Sequence, residues 1–130
     1  MALTARKNIN ALSNANLVTG NQAANGDTNE IFFGALLEWD DATDKAIPYV
    51  DGHTFCGIAA EGTTSAATYI KVYTSCEIMG LSITGTPEVG DLVYSTSDDT
   101  ADLADAGTNA VGYVNSSDGS TFSVVFKPGL

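Results

Sequence analysis

The chain has 130 residues, 44% of them apolar and only 16% charged, against about 25% charged in a typical globular protein. Its formal net charge is −11 and its isoelectric point lies near 4.1, so nucleic acid and anionic membrane are excluded as expected partners. One domain is expected at this length, with a core that needs neither metal nor disulfide staples.

Polarity comes from Thr, Ser, Asn and Gly, a mix that suits strands and tight turns over helices. The charge is unevenly placed. Residues 1–30 hold Arg6, Lys7, Asp27 and Glu30 and are neutral overall, while residues 31–130 hold three lysines and 14 acids and carry the whole imbalance. The start, Met1-Ala-Leu-Thr-Ala-Arg-Lys, has no apolar stretch of the signal-peptide kind, and no apolar run approaches a membrane span. A cytoplasmic origin is the expectation.

Residues 1–30 are rich in asparagine: Asn8, Asn10, Asn14, Asn16, Asn21, Asn25 and Asn29. The Asn amide competes for the backbone and disfavours helix interiors. An extended N-terminal arm is expected, with a loop over 19–29 and sparse apolar residues at Leu3, Ile9, Leu12, Leu17 and Val18. A frayed terminus is the plain alternative.

The body follows from residue 31. Ile31 to Trp39 reads as a strand, with Gly34 inside it marking a bulge or a close backbone contact. Asp40 to Asp44 reads as a turn, and Ala46 to Val50 as an edge strand because of Pro48. Asp51-Gly52 is a tight turn. Phe55 to Ala60 and Thr68 to Tyr73 are strands flanking a loop, and Glu77 to Ile83 continues, with Ile78 and Met79 on opposite faces. Tyr69, Lys71 and Tyr73 alternate onto one face and form a candidate subunit or ligand surface. Pro87 and Gly90 set a turn into Leu92 to Ser95, with Leu92 and Tyr94 on one face and Val93 and Ser95 on the other. Gly90, Leu92 and Tyr94 are the residues expected to hold the barrel. Val111 to Val114 and Phe122 to Phe126 complete the set, with Phe32, Phe33, Phe55, Phe122 and Phe126 as core aromatics.

The two halves resemble each other. Gly34 answers Gly90 at an offset of 56, Cys56 answers Val111 at 55, and Tyr69 answers Thr121 at 52. The drift is small and falls in loops. The expectation is an all-β body over 31–130, a small β-barrel of the tulip or SH3-like type. It is built from two related strand units at about 34–83 and 90–127, preceded by the arm at 1–30.

Chemistry is scarce. Cys56 and Cys76 sit in apolar runs and read as buried free thiols; two cysteines make no framework and no zinc pattern. The acids Asp40, Asp41, Asp44, Asp98, Asp99, Asp102 and Asp105 lie in turns, where aspartate caps the chain, and they lack EF-hand spacing. His53 is the lone histidine, and no serine lies in a nucleophile elbow. Neither a phosphate loop nor a dinucleotide fingerprint is present. No enzymatic activity, metal or cofactor is expected.

The second half resembles the small capsid decoration (cement) proteins of tailed bacteriophages. The resemblance rests on Pro87-Glu-Val-Gly-Asp-Leu-Val-Tyr94, an Asp-rich hairpin, Val111-Gly112-Tyr113-Val114, the Asp118-Gly119 turn and Val124-Val125-Phe126, with Gly57-Ile58-Ala59 in the middle of the chain. It covers about residues 31–130, and the arm matches in kind only. It implies a non-enzymatic structural protein on the outer surface of the virion head, made in the host cytoplasm. Such a protein clamps neighbouring major capsid proteins and forms a small homo-oligomer, a homotrimer above all. The arm residues Arg6, Lys7, Ile9, Leu12, Leu17 and Val18 are then the expected capsid contact. The alternative is a virion module binding carbohydrate or a host receptor through Tyr69, Tyr73 and Trp39.

Overall fold

Short apolar runs punctuated by glycine and aspartate turns fold as strands. The computed structural model describes residues 12–23, 31–40, 45–62 and 70–130, with 12–23 and Lys45 described by their backbone. The described residues form ten strands: β1 Leu12–Ala23, β2 Leu36–Asp40, β3 Lys45–Pro48, β4 Phe55–Ala59, β5 Ile70–Leu81, β6 Ile83–Thr84, β7 Leu92–Ser95, β8 Leu103–Ala104, β9 Gly112–Ser117 and β10 Phe122–Phe126. One turn of 3-10 helix spans Thr100–Asp102, and no α-helix occurs among the described residues. The fold is all-β, a curled sheet of half-barrel form.

The strand order is β3-β2-β4-β5-β10-β9-β7-β8-β6, with β1 paired to β5 off this path. Every pairing is antiparallel except β6 with β8. The curl brings the flanks together. The Leu36 N–H donates to the Asp98 carbonyl at 2.9 Å, and the Asn109 side-chain amide donates to the Gly52 carbonyl at 2.7 Å. Inside the curl lies the main core, which includes Leu36, Phe55, Ile58, Cys76, Ile78, Val93, Val114, Val124 and Phe126. A second cluster (Ile31, Ala35, Leu37, Ala46, Cys56, Ala59, Ile70 and Val72) buries the opposite face of β2, β4 and β5.

The turns that start β2 and β7 are built alike. The Ala35 N–H donates to the Phe32 carbonyl at 3.1 Å, and the Asp91 N–H to the Glu88 carbonyl at 3.0 Å. Gly34 and Gly90 take the third turn position at φ of 84° and 95°, where a type II turn requires positive φ. Their N–H groups donate to the carbonyls of Ala59 and Val114, both at 2.8 Å.

Several expectations change. Gly34 is a turn residue in close backbone contact with Ala59, not a strand bulge, and the strand after it begins only at Leu36. Residues 19–23 continue strand β1 where a loop was expected. The stretch that continues from Tyr73 to Glu77 is one strand, β5, running unbroken through Thr74-Ser75-Cys76 and ending at Leu81, short of Ile83. Val93 and Ser95, not Leu92 and Tyr94, point into the barrel: Leu92 is exposed, Tyr94 half-buried, and Val93 fully buried. Leu92 starts an antiparallel ladder whose buried face is set by Val93 opposite Gly112. Phe55 and Phe126 are core residues, whereas Phe32, Phe33 and Phe122 are only half-buried. The Asp51-Gly52 turn, the β3 edge strand ending in Pro48 and the Asp118-Gly119 turn stand where the sequence places them. The turn residues Asp41 and Asp44 lie outside the described residues.

Candidate functional site

The expected contact surface divides in two. Arg6, Lys7 and Ile9 lie outside the described residues. Leu12, Leu17 and Val18 belong to β1, where Leu12 pairs with Ile78, Leu17 with Tyr73 and Val18 with Val72 of the same chain. Strand β5 explains this placement. β4 pairs with its Val72 and Tyr73, and β10 with its Cys76, Glu77, Ile78 and Leu81. β1 pairs with residues from both groups. A strand has only two edges, so β4 and β10 lie end to end along one and β1 runs along the other. Without β1, that second edge of β5 would present unpaired N–H and C=O groups.

Of the other candidate face, Tyr69 lies outside the described residues. Lys71 is exposed, and its N–H donates to Glu61 Oε1 at 3.0 Å. Tyr73 is half-buried and packs against the main core. Trp39 is exposed at the end of β2.

A polar cluster beside β2 was not legible in the sequence. Glu38 is buried, and its Oε2 accepts the Val50 N–H at 2.8 Å. The exposed His53 donates from Nδ1 to the same carboxylate, 2.9 Å from each oxygen. A carboxylate that orients an imidazole is half of a nucleophilic triad. The nearest thiol supplies no other half. Cys56 is buried, and burial first, then the Glu38 charge, push its pKa up to about 12; a thiol held protonated is a poor nucleophile. Cys76 is likewise free and buried, pushed up to about 12 by burial. The cluster therefore holds the β3–β4 connection in place and has no reactive partner for His53 within it. Among the described residues no group of three or more His, Cys, Asp or Glu side chains is arranged to hold a metal ion.

The acid-rich turns are likewise engaged in structure. Asp99 accepts the Ala101 N–H at 2.9 Å and caps the 3-10 turn. Asp102 accepts the Ser97 hydroxyl at 2.7 Å, and Asp105 accepts the Thr86 N–H at 2.9 Å. Asp118 accepts from the N–H groups of Thr121 and Ser120, and these bonds hold its carboxyl down at about 2.

One open cleft, of about 440 Å³, lies between the β9–β10 hairpin and the end of β5. Met79 and Phe122 supply its apolar surface, and Ser116, Ser117, Asp118, Thr121 and Ser123 its polar one. Ser116 and Ser123 bond each other through their hydroxyls at 2.7 Å.

Comparison with known proteins finds no matching family model, no similar curated protein and no similar solved structure.

Proposed function

We propose that this chain is a non-enzymatic structural virion protein that decorates and stabilises the outside of an icosahedral phage head by clamping neighbouring major capsid proteins. The observation that carries the reading is a contrast within one molecule: an uncharged, extended N-terminal strand laid on an edge of an acidic all-β body. An extended strand recognises a partner through backbone groups and needs little side-chain code. Many weak copies on one shell stabilise it through avidity. An acidic body facing outward keeps particles soluble and apart. The stretches of the second half that resemble decoration proteins support the reading too, because they form neighbouring strands of one flank, β7, β9 and β10, while Gly57-Ile58-Ala59 lies in β4.

The finer architecture belongs to the same proposal: two related units, an N-terminal arm ahead of them and a homotrimeric assembly. For the units, the order β3-β2-β4-β5 is answered in reverse by β10-β9-β7-β8, and the turns at Gly34 and Gly90 match bond for bond. For the arm, Arg6, Lys7, Ile9, Leu12, Leu17 and Val18 are the residues assigned to the shell. Co-sedimentation with empty expanded heads tests the function. The full chain is expected to pellet with heads and a chain lacking residues 2–20 to remain in the supernatant; equal occupancy by both sinks the assignment of the arm.

A second reading, a virion module binding carbohydrate, is favoured by the cleft of Met79 and Phe122 beside serine and threonine hydroxyls. Binding on a glycan array that is lost in Phe122→Ala would support it over decoration.

A further inference from the structure

The chain has two Asp-Gly steps, Asp51-Gly52 and Asp118-Gly119. Locally they match. Both aspartates are exposed, and both glycines take positive φ, 82° and 98°. A Cβ on either glycine would meet nothing within 4 Å. Such a step has a chemistry of its own: with no side chain to shield it, the glycine nitrogen can attack the carboxyl carbon of the aspartate before it.

In the second flank both reacting groups are tied. Asp118 Oδ1 accepts the Ser120 N–H at 3.0 Å and the Thr121 N–H at 2.8 Å, and Oδ2 accepts the Thr121 hydroxyl at 3.0 Å. The Gly119 N–H donates to Ser117 Oγ at 3.1 Å. The bonds on the carboxyl hold it down at about 2, which disfavours the protonated form that gives up its hydroxyl. In the first flank neither group is tied. Asp51 makes no hydrogen bond or ion pair among the described residues, and the Gly52 N–H has no well-formed acceptor, only the Tyr49 hydroxyl beside it. The turn around this step is nevertheless anchored on both sides. The Val50 N–H and the His53 ring bond to Glu38, and the Gly52 carbonyl accepts from Asn109 of the other flank.

We infer that Asp51 is a self-modifying site, at which the folded chain converts aspartate to isoaspartate without an enzyme. The Gly52 nitrogen bonds to Asp51 Cγ, the carboxyl hydroxyl leaves with the nitrogen's proton as water, and a succinimide ring closes. Water then adds to the Asp51 backbone carbonyl carbon and breaks its bond to the Gly52 nitrogen. The main chain now runs through Cβ and Cγ, and a carboxylate stands on Cα. The water lost is regained, and nothing is oxidised or reduced. The turn gains a main-chain carbon between the residues that hold Glu38 and Asn109, so conversion loosens the seam where the flanks meet. The inference stands apart from capsid decoration and needs no shell.

The full chain, aged in neutral buffer, is mapped by proteolysis and mass spectrometry with fragmentation that distinguishes isoaspartate. Isoaspartate is expected to form about tenfold faster at Asp51 than at Asp118, the ratio set by about 1.4 kcal/mol of barrier. In denaturant, where the bonds on Asp118 and Gly119 are gone, the two steps are expected to react at similar rates. Asp51→Glu has to close a larger ring and is expected to show no product at that position. Ser117→Ala frees the Gly119 N–H and is expected to raise the product at Asp118. Asn25-Gly26 lies outside the described residues, and its product is told apart by the mass change of deamidation. Equal rates at the two steps in the folded chain, or no product at Asp51, overturn the inference. So does a preference for Asp51 that persists in denaturant, which would assign it to the neighbouring sequence and not to the fold. The converted chain, separated by ion exchange, is expected to melt below the unconverted one, and equal melting overturns the loosening of the seam.

Discussion

The two flanks of the sheet share a strand order but bury different faces. In β7, β9 and β10 one face is core and the other stays partly open: Leu92 is exposed, and Tyr113 and Val125 are half-buried. In β2 and β4 both faces are closed, with Leu36 and Ile58 in the main core and Leu37, Cys56 and Ala59 in the second cluster. The second cluster is capped by Ile31 and Ala35 from the segment just before β2. A single strand order thus supports a one-sided sheet and a two-sided one. The lesson is that the N-terminal region distinguishes the flanks, through what it covers and through the length of β5, which has a second edge to offer β1.

The glycines at the centre of β4 and at the start of β9 test how alike the flanks are. A Cβ on Gly57 would lie 2.5 Å from Val72 Cγ1 and 2.7 Å from the Tyr73 carbonyl oxygen. A Cβ on Gly112 would press into the Val125 carbonyl oxygen and lie 3.1 Å from Val124 Cγ1. Backbone blocks both, so the strands must separate. Gly57→Ala and Gly112→Ala are each expected to lose about 3 kcal/mol, the upper part of the range for overpacking. Denaturant titration checks this, and a loss confined to one of the two would break the equivalence of the flanks.

The next effect sharpens the difference. Glu38 has no acidic counterpart in the second flank, where the offset from Gly34 to Gly90 places Tyr94. Glu38→Ala leaves the Val50 N–H without its acceptor and is expected to cost about 2 kcal/mol. His53→Ala removes only the exposed side of the same cluster and is expected to cost less than about 1 kcal/mol. If thermal unfolding ranks the two variants the other way, the carboxylate is not what holds the β3–β4 connection.

Alkali should also act on the first flank. Both thiols stand at about 12 in the folded chain because burial disfavours the thiolate. The unfolded chain gives up these protons near the ordinary thiol value, so it binds fewer protons than the native state through the interval up to about 12. Stability is therefore complete below the ordinary value and falls as pH rises above it, by about 1.4 kcal/mol per thiol at pH 10. Cys56 answers Val111 of the second flank, so Cys56→Val keeps an apolar residue and is expected to remove its share of the loss. A pH-stability curve from 8 to 10.5 with the same slope in wild type and variant would contradict this account. Asp118 works at the other end: its lowered carboxyl stabilises the hairpin turn above the ordinary aspartate value, and that contribution disappears as pH falls toward 2.

Much of this fold is readable in the sequence because it is local. Pro87, Gly90 and the alternation after them mark β7, and Pro48 marks β3 as an edge. What alternation leaves undecided is which face is core, and there Leu92 and Val93 exchange roles, since both are apolar and only the pairing of Val93 with Gly112 decides. Thr74-Ser75-Cys76 gives no sign in the sequence of a change of partner. In the sheet it is where β5 passes from its β4 partner to its β10 partner, and neither partner is adjacent in sequence. The Glu38–His53 contact spans 15 residues and a turn, so spacing gives no sign of it. The asparagine-rich, neutral character of residues 1–30 is visible in the sequence. That strand β1 lies on β5 depends on pairings across 47 to 66 residues.

A further small effect concerns Tyr49, the tyrosine buried in the core among the described residues. Tyr49 sits against Phe55 in an edge-to-face contact, with ring centroids 6.2 Å apart, and its buried hydroxyl has no well-formed hydrogen bond, only the Gly52 backbone beside it. Burial raises its pKa, as expected of a phenol denied water. In the second flank, Tyr94 and Tyr113 are only half-buried, so the comparison isolates a single oxygen. Tyr49→Phe keeps the ring and its contact and removes the unpaired group. The substitution is expected to stabilise the chain by about 1 kcal/mol, the lower end of the cost of a buried unsatisfied polar group. The same change at Tyr94 or Tyr113 is expected to have no such benefit. A Tyr49→Phe chain that melts below wild type would mean that the hydroxyl has a partner in solution, and the two flanks would then differ less in their cores than their buried faces indicate.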